Sequence, residues 1–287
     1  MKVGQVTCAL AALSFAAPAT AQQIDFRYRP RAGTAVRTLT EERTVTTLFG
    51  FPMVPDGASF ETKRRVNATQ FVLAVLDGGR RVEVEIDSIR ARRRAADGPW
   101  VTLTDTTAVG KPVRATLNER FAVTGIETAG QTDAEVLRMM GAGLIGFGFS
   151  FPSEPVAAGT TFPTGGRLHY QVRLTDEGGI PVRETLAGDL VLTLDSVVDA
   201  GSDRLAYLRF AGTFDPRIAA SESESGSVTV TFSGGFAGRL IWSSGWNAFV
   251  SAAARVMVQG SIRVVTATGQ TEASAGWDAT IMHRVRP

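Results

Sequence analysis

One stretch, Thr132 to Pro155 (TDAEVLRMMGAGLIGFGFSFPSEP), carries the only helix signal beyond the N-terminus, and it divides a chain whose other long segments read as strand. Thr132 and Glu135 have the spacing of a capping box, and Asp133 adds a negative charge where the helix dipole favours one. Val136, Leu137 and Met140 follow at helical spacing. Gly141, Gly143, Gly146 and Gly148 then make further helix unfavourable. The uncharged run from Met139 to Pro152 is 14 residues long, against roughly 20 needed for a membrane-spanning helix. Phe147, Phe149 and Phe151 alternate with small residues, so an extended arm would place three rings on one face. A short helix followed by an apolar extended arm is expected over 132–156. Leu144, Phe147, Phe149 and Phe151 are the candidates for packing or for contact with an apolar ligand.

To either side the chain alternates with period two and is punctuated by turn residues, the pattern of antiparallel sheet. Ile24, Phe26 and Tyr28 share one face. Ala35 to Thr47 is rich in β-branched residues and has no glycine or proline. Leu48 to Ser59 reads as a loop. Phe60 to Leu76 and the return strand with Val82, Val84, Ile86 and Ile89 are joined by Asp77-Gly78-Gly79, a strong hairpin turn. Arg90 to Asp97 (RARRRAAD) reads as a polar tip. Strands are expected over Trp100–Thr107, Pro112–Leu117 and Phe121–Ile126. In the second half they are expected at Leu168–Leu174, Val182–Val198, around Leu205–Phe210, Val228–Phe232, Phe236–Trp242, Trp246–Ser251, Arg255–Val258, Ser261–Thr268 and Ala275–Val285. Ala219–Gly226 reads as a loop, and Ser244-Gly245, Gln259-Gly260 and Gly269 as turns. The expected fold is mainly β: two antiparallel modules, 22–131 and 157–287, of half-barrel or sandwich type, joined by the 132–156 connector.

Residues 1–21 have the anatomy of a secretory signal: Lys2, an apolar run from Val6 to Ala17, and a small-x-small pattern at Ala19-Thr20-Ala21 before Gln22. Cleavage at Ala21 would remove Cys8, the one cysteine, leaving no thiolate or disulfide chemistry. The expected compartment is periplasmic or extracellular. Removing Lys2 from the 30 basic and 28 acidic residues of the whole chain leaves 29 against 28, which is not the balance of a nucleic-acid-binding protein.

The two halves can be laid over one another loosely. GTAVRTLTEE from Gly33 matches GRLHYQVRLTDE from Gly166, and LDGGRRVEVEI from Leu76 matches VDAGSDRLAYLRF from Val198. GKPVRATLNERFAV from Gly110 matches GRLIWSSGWNAFV from Gly238, with Phe121 and Phe249 in step. A duplication, and a single large sheet or barrel with coincidental likeness, are both open to this pattern. Three features together resemble exported bacterial all-β proteins of unknown function: the strand pair around Asp77-Gly78-Gly79, the Gly110-Lys111-Pro112 turn, and a helix followed by Phe151-Pro152 and Glu154-Pro155-Val156…Gly159. That resemblance implies no catalytic residues. A more distant architectural likeness is to periplasmic lipoprotein carriers, in which a curved sheet holds lipid against a helical lid.

Motifs for chemistry are sparse. The two histidines, His169 and His283, have no metal-ligand spacing, and no nucleophile elbow or phosphate loop occurs. No catalytic residue, metal site or cofactor is expected. Arg90, Arg92, Arg93 and Arg94, with Arg64 and Arg65 or Arg80 and Arg81 nearby, are candidates for an anion patch. Trp242 and Trp246 flank a Ser-Ser-Gly turn, where they would either pack or meet a sugar or membrane surface. The leading expectation is an exported, non-enzymatic β-protein that binds an apolar ligand such as lipid, or an envelope protein. A hydrolase of envelope glycans or lipids and an outer-membrane barrel are the alternatives.

Overall fold

The computed structural model describes residues 22–51, 54, 56–104, 108–127, 150–174, 182–223, 226–266 and 269–286. The helix expected from Thr132, with Leu144, Phe147 and Phe149, lies outside these residues, as do Ala19 and Ala21. Among the described residues there is no helix, hence none long and apolar enough to cross a membrane.

The first half supplies β1 (Gln23–Ile24), β2 (Ala35–Phe49), β3 (Ala58–Leu76), β4 (Gly79–Ala95), β5 (Val101–Leu103), β6 (Val113–Asn118) and β7 (Val123–Glu127). The second supplies β8 (Val156–Ala157), β9 (Thr161–Leu174), β10 (Val182–Ala200), β11 (Asp203–Thr213), β12 (Arg217–Ser223), β13 (Gly226–Ser243), β14 (Ala248–Thr266) and β15 (Gly269–Arg286). Strands β1 and β8 form a small ladder of their own; the other thirteen make one sheet of order β7-β6-β4-β3-β2-β15-β14-β13-β11-β10-β9, with β5 on β4 and β12 on β13. Every ladder is antiparallel. The halves meet where β15 pairs along β2, from Ser274↔Phe49 to Arg286↔Arg37. The segments likened in sequence are the runs β2-β3-β4-β6-β7 and β9-β10-β11-β13-β14, each in chain order across the sheet, and Phe121 and Phe249 touch at 5.5 Å.

Several boundaries differ from the sequence reading. The arginine run is not a loop tip: β4 continues to Ala95, its cations lying over the Trp100 and Phe60 rings and against Glu61. Ala219–Ser223 is strand, because β13 supplies a backbone ladder that outweighs the weak strand preference of serine and glutamate. Gln259-Gly260 is no turn but the middle of β14. A Cβ on Gly260 would stand 3.3 Å from Trp277 and 3.4 Å from Phe232, so the glycine admits two rings rather than bending the chain. Of Ile24–Tyr28 only Ile24 joins a ladder, although Ile24, Phe26 and Tyr28 are all buried. Of Trp100–Thr107 the strand keeps only Val101–Leu103, while 105–107 lie outside the described residues.

One face of the sheet is the core. Alternate residues of β4 (Val82, Val84, Ile86), β10 (Leu190, Leu192, Leu194), β11 (Ala206, Leu208, Phe210) and β14 (Val256, Val258, Ile262) are buried in one hydrophobic cluster. The sheet curls over this face. The Tyr170 hydroxyl on the β9 edge hydrogen-bonds Thr44 of β2, six places away in the strand order. Phe rings roof cross-strand glycines here: Phe236 over Gly212 and Gly188, and Phe210 over Gly238. A Cβ on Gly212 would come within 2.4 Å of both the Phe236 ring and the Asp189 carbonyl. Gly212→Ala should therefore cost about 1–3 kcal/mol through overpacking, read as a lower urea midpoint. An unchanged midpoint would mean that these strands are looser than described.

Candidate functional site

Seven aromatic residues close one end of the curled sheet. Phe151 is at their centre: stacked on Phe26 at 4.3 Å and 6°, edge-on to Trp242 at 5.0 Å, and 5.7 Å from Phe249. Phe121, Tyr28 and Phe162 complete the group. Phe121 has a φ of 69°, a strained value for an aromatic residue. Asn118 Oδ1 supports that turn by accepting the Arg120 and Ala122 N–H groups at 2.9 Å each. The Arg120 guanidinium then donates to the Pro152 carbonyl at 2.7 Å and to the carbonyls of Phe26 and Ser153. It pins three distant segments to one another, a role no local motif signals. Of the four residues proposed for an apolar arm, Phe151 is thus core.

The interior changes character across the sheet. Successive register partners trace one row of inward positions: Gly238, Ala254, Ile281, Glu42, Arg64 and Ala91, on β13, β14, β15, β2, β3 and β4. At strand spacing this row is about 24 Å long. On β14 and β15 its flanks are Ala252, Val256, Ala279 and His283; on β2–β4 they are Thr40, Thr44, Thr62 and Arg93 with Val66 and Ile89. Ala252 and Ala254 keep 7% and 8% exposure, whereas Val256 and Ala279 beside them keep 0%. The lane of small side chains is therefore less tightly covered than the core beside it. Thr44 donates to Glu42 at 3.1 Å, and burial together with the Glu42 charge pushes the Tyr170 hydroxyl up from its ordinary pKa.

His283 is buried beside this row. Its Nδ1 lies 2.9 Å from the Thr40 hydroxyl in a hydrogen bond, while its buried Nε2 has no partner among the described residues. Burial alone holds its pKa down to about 4. An orphan ring nitrogen at a sealed site calls for an explanation. His169 alternates with the buried Leu168 and Tyr170 and faces outward. The two histidines lie on opposite faces of the sheet and cannot share a catalytic site. Among the described residues no three His, Asp or Glu side chains gather as a metal site.

The arginine candidates divide between the two faces. Arg93 points inward, its guanidinium 4.3 Å from the Phe60 ring centroid. Arg92 and Arg94 point outward, at 4.5 and 4.7 Å from the Trp100 ring, with Lys63 at 5.1 Å. Arg90 is on the same outward phase, opposite Arg65. Glu61 sits among them, accepting from Arg43 Nε at 2.6 Å and from Arg94 Nη2 at 2.6 Å and Nε at 3.0 Å, with Lys63 Nζ at 3.4 Å. The Arg43 and Arg94 hydrogen bonds hold its carboxyl down to about 2. Arg80 and Arg81 begin β4 at the opposite end, and Arg64 lies on the inner face. Trp242 is core at 1% exposure and Trp246 is exposed at 49%. Gln22 is exposed, and its carbonyl accepts the Ala158 N–H at 3.0 Å.

The outward face carries Arg209–Asp195, Arg255–Asp278, Arg263–Glu272 and Arg284–Glu41 ion pairs along its strands. Arginine on a lipid-facing strand costs about 2–4 kcal/mol at mid-bilayer, and among the described residues the sheet does not close into a barrel. The outer-membrane barrel reading fails on both counts.

The chain is an all-β protein built on one open, curled antiparallel sheet. No family model matches it, and no curated protein matches it in sequence. Among solved structures it is similar to a lipovitellin studied for its lipid–protein interactions, with TM-score 0.49 and 10% identity over 91% of this chain. The chain spans 25% of that lipovitellin. It is also similar to an outer-membrane channel from Pseudomonas putida, with TM-score 0.26 and 9% identity, covering 91% of this chain and 98% of the channel. Neither likeness is close enough to carry a function across.

Proposed function

We propose that the chain is an exported binding module, periplasmic or secreted, that holds an amphiphile with an apolar body, such as a fatty acid, on its concave face. The observation that carries this reading is the inward row from Ala254 and Ile281 to Glu42 and Arg64, which begins beside Gly238, itself covered by the Phe210 ring. Small apolar side chains at one end give way to a hydroxyl-rich, charged end, and the unpartnered His283 Nε2 lies beside the change. Apolar ligand sites are mostly hydrophobic with a few placed polar groups, and this row has that composition. Export rests on the signal-like segment before Gln22.

Mass spectrometry of gently purified protein, and uptake of a fluorescent fatty acid, test the reading. Co-purifying lipid or saturable uptake is expected, and Ala254→Trp, which fills the lane, should abolish uptake. Repeated absence of both lipid and uptake would sink the proposal. Undiminished uptake by a folded Ala254→Trp protein would move the ligand away from this row.

A further inference from the structure

The outer face of β2–β4 near Phe60 and Ala95 differs from the rest of the convex surface. Arg43, Lys63, Arg65, Arg90, Arg92 and Arg94 all belong to its outward phase. Register places Arg43 opposite Lys63, Lys63 opposite Arg92, and Arg65 opposite Arg90. Like charges directly opposite each other destabilise a sheet, so packing alone gives no reason for this arrangement. Elsewhere on this face Arg209, Arg255, Arg263 and Arg284 each meet an acid, and like charges face one another as the separate pairs Arg37–Arg286 and Arg209–Arg239 rather than as a run of six cations. Here Glu61 is shared by Arg43, Arg94 and Lys63. Glu41 stands opposite Arg65 in register and pairs with Arg284 at 3.4 Å. Among the described residues Arg65, Arg90 and Arg92 have no acid partner.

Apolar groups sit among these charges. The Trp100 ring is held between Lys63, Arg92 and Arg94. Phe49, ending β2 on the same outward phase, is 55% exposed. On the adjoining edge strand β5, Val101 and Leu103 stand opposite Arg93 and Ala91, on the inner phase, so they are not part of this patch. A soluble anion would engage the cations and gain nothing from these side chains. A bilayer offers both partners, anionic headgroups for the arginines and an acyl boundary for the rings.

We infer that this patch docks the protein on a membrane surface that carries anionic phospholipid. The cations lie over the headgroup phosphates, with Phe49 seated at the interface. The concave lane is on the opposite face of the sheet, so docking leaves it uncovered.

Co-sedimentation of the full chain with vesicles tests the inference. Binding is expected to phosphatidylcholine vesicles containing phosphatidylglycerol and not to phosphatidylcholine alone, and it should fall with added salt. Combining Arg65→Ser, Arg90→Ser and Arg92→Ser should weaken it about 100-fold, at the strength typical of three basic side chains on an anionic surface. Arg90→Gln alone should weaken it about fivefold, and serves if the triple variant does not fold. Combining Arg209→Ser, Arg255→Ser and Arg263→Ser removes the same charge elsewhere and should leave binding within about twofold, because screening confines the effect to the docked patch. Equal binding to neutral vesicles, or equal loss in the two triple variants, would overturn the inference. So would displacement by inorganic phosphate beyond that by sodium chloride of equal ionic strength, which would assign the patch to free phosphate. Vesicle binding and fatty-acid uptake are separate readouts, so either proposal can fail alone.

Discussion

Replacing Phe151 with alanine is expected to cost about 3–5 kcal/mol, the range for deleting a buried aromatic side chain, and to lower the melting temperature by roughly 10 °C. Phe151 is 3% exposed and meets four other rings within 6.4 Å. Its loss therefore removes burial and ring contacts at once and leaves a gap that the strand ends cannot close. The cost also falls on a junction. Phe26 comes from the N-terminal segment, Phe121 from the β6–β7 turn, and Trp242 and Phe249 from either side of the β13–β14 turn. Phe49→Ala, at a ring 55% exposed, should change stability by no more than about 0.5 kcal/mol. Thermal unfolding followed by circular dichroism compares the two. Equal melting of both variants would mean that Phe151 belongs to an exposed arm rather than to the core.

Acidification should destabilise the protein through His283 before any carboxylate contributes. The ring titrates near 6.5 in the unfolded chain and at about 4 when folded. The folded state therefore binds the proton less readily, and its stability is greatest above pH 6.5. Stability falls as pH drops from 6.5 towards 4, by about 3 kcal/mol at 1.36 kcal/mol per pH unit. Thr40 of β2 and Ala252 of β14 are the register partners on either side, and Glu42 lies one inward position further along β2. Glu61 acts in a separate window. Its lowered pKa stabilises the fold above about pH 4.5, and that contribution disappears as pH falls towards 2. Urea midpoints of wild type and His283→Phe between pH 7 and 4.5 should diverge, the variant being nearly flat. Parallel curves would show that His283 is not held neutral by burial. A fatty acid that meets the orphan Nε2 should reduce the wild-type slope, which links this measurement to ligand uptake.

Much of the architecture was legible in short stretches. Asp77-Gly78 closes the β3–β4 hairpin with Gly78 at a φ of 73°, because an Asp-Gly pair between alternating segments has few other uses. Val82, Val84 and Ile86 are buried and Asp87 is exposed, as period-two alternation requires. The readings that failed share one cause. Arg90–Arg94, Ala219–Ser223 and Gln259-Gly260 have turn-like or polar composition, yet each lies in a ladder whose partner strand supplies the compensation. The Trp100 and Phe60 rings cover the arginines, the β13 backbone pairs the serines, and two rings fill the space above Gly260.

The functional groups were less legible for the same reason. Arg120 looks like an ordinary turn residue until Phe26, Pro152 and Ser153 are brought to it. His283 and Thr40 are 243 positions apart, and no spacing rule connects them. By itself the sequence determined that the chain would form antiparallel sheet, where many of its turns would fall, and which phase of most strands would be apolar. Those are properties of a few neighbouring residues and of the two-residue repeat of extended chain. Only the tertiary structure decided that β15 would join the halves into one sheet, that the arginine run would divide between two faces, and that a histidine nitrogen would be sealed without a partner. These depend on register between strands far apart in sequence. A shift of one residue would exchange the two faces, and neighbouring residues alone do not set that register.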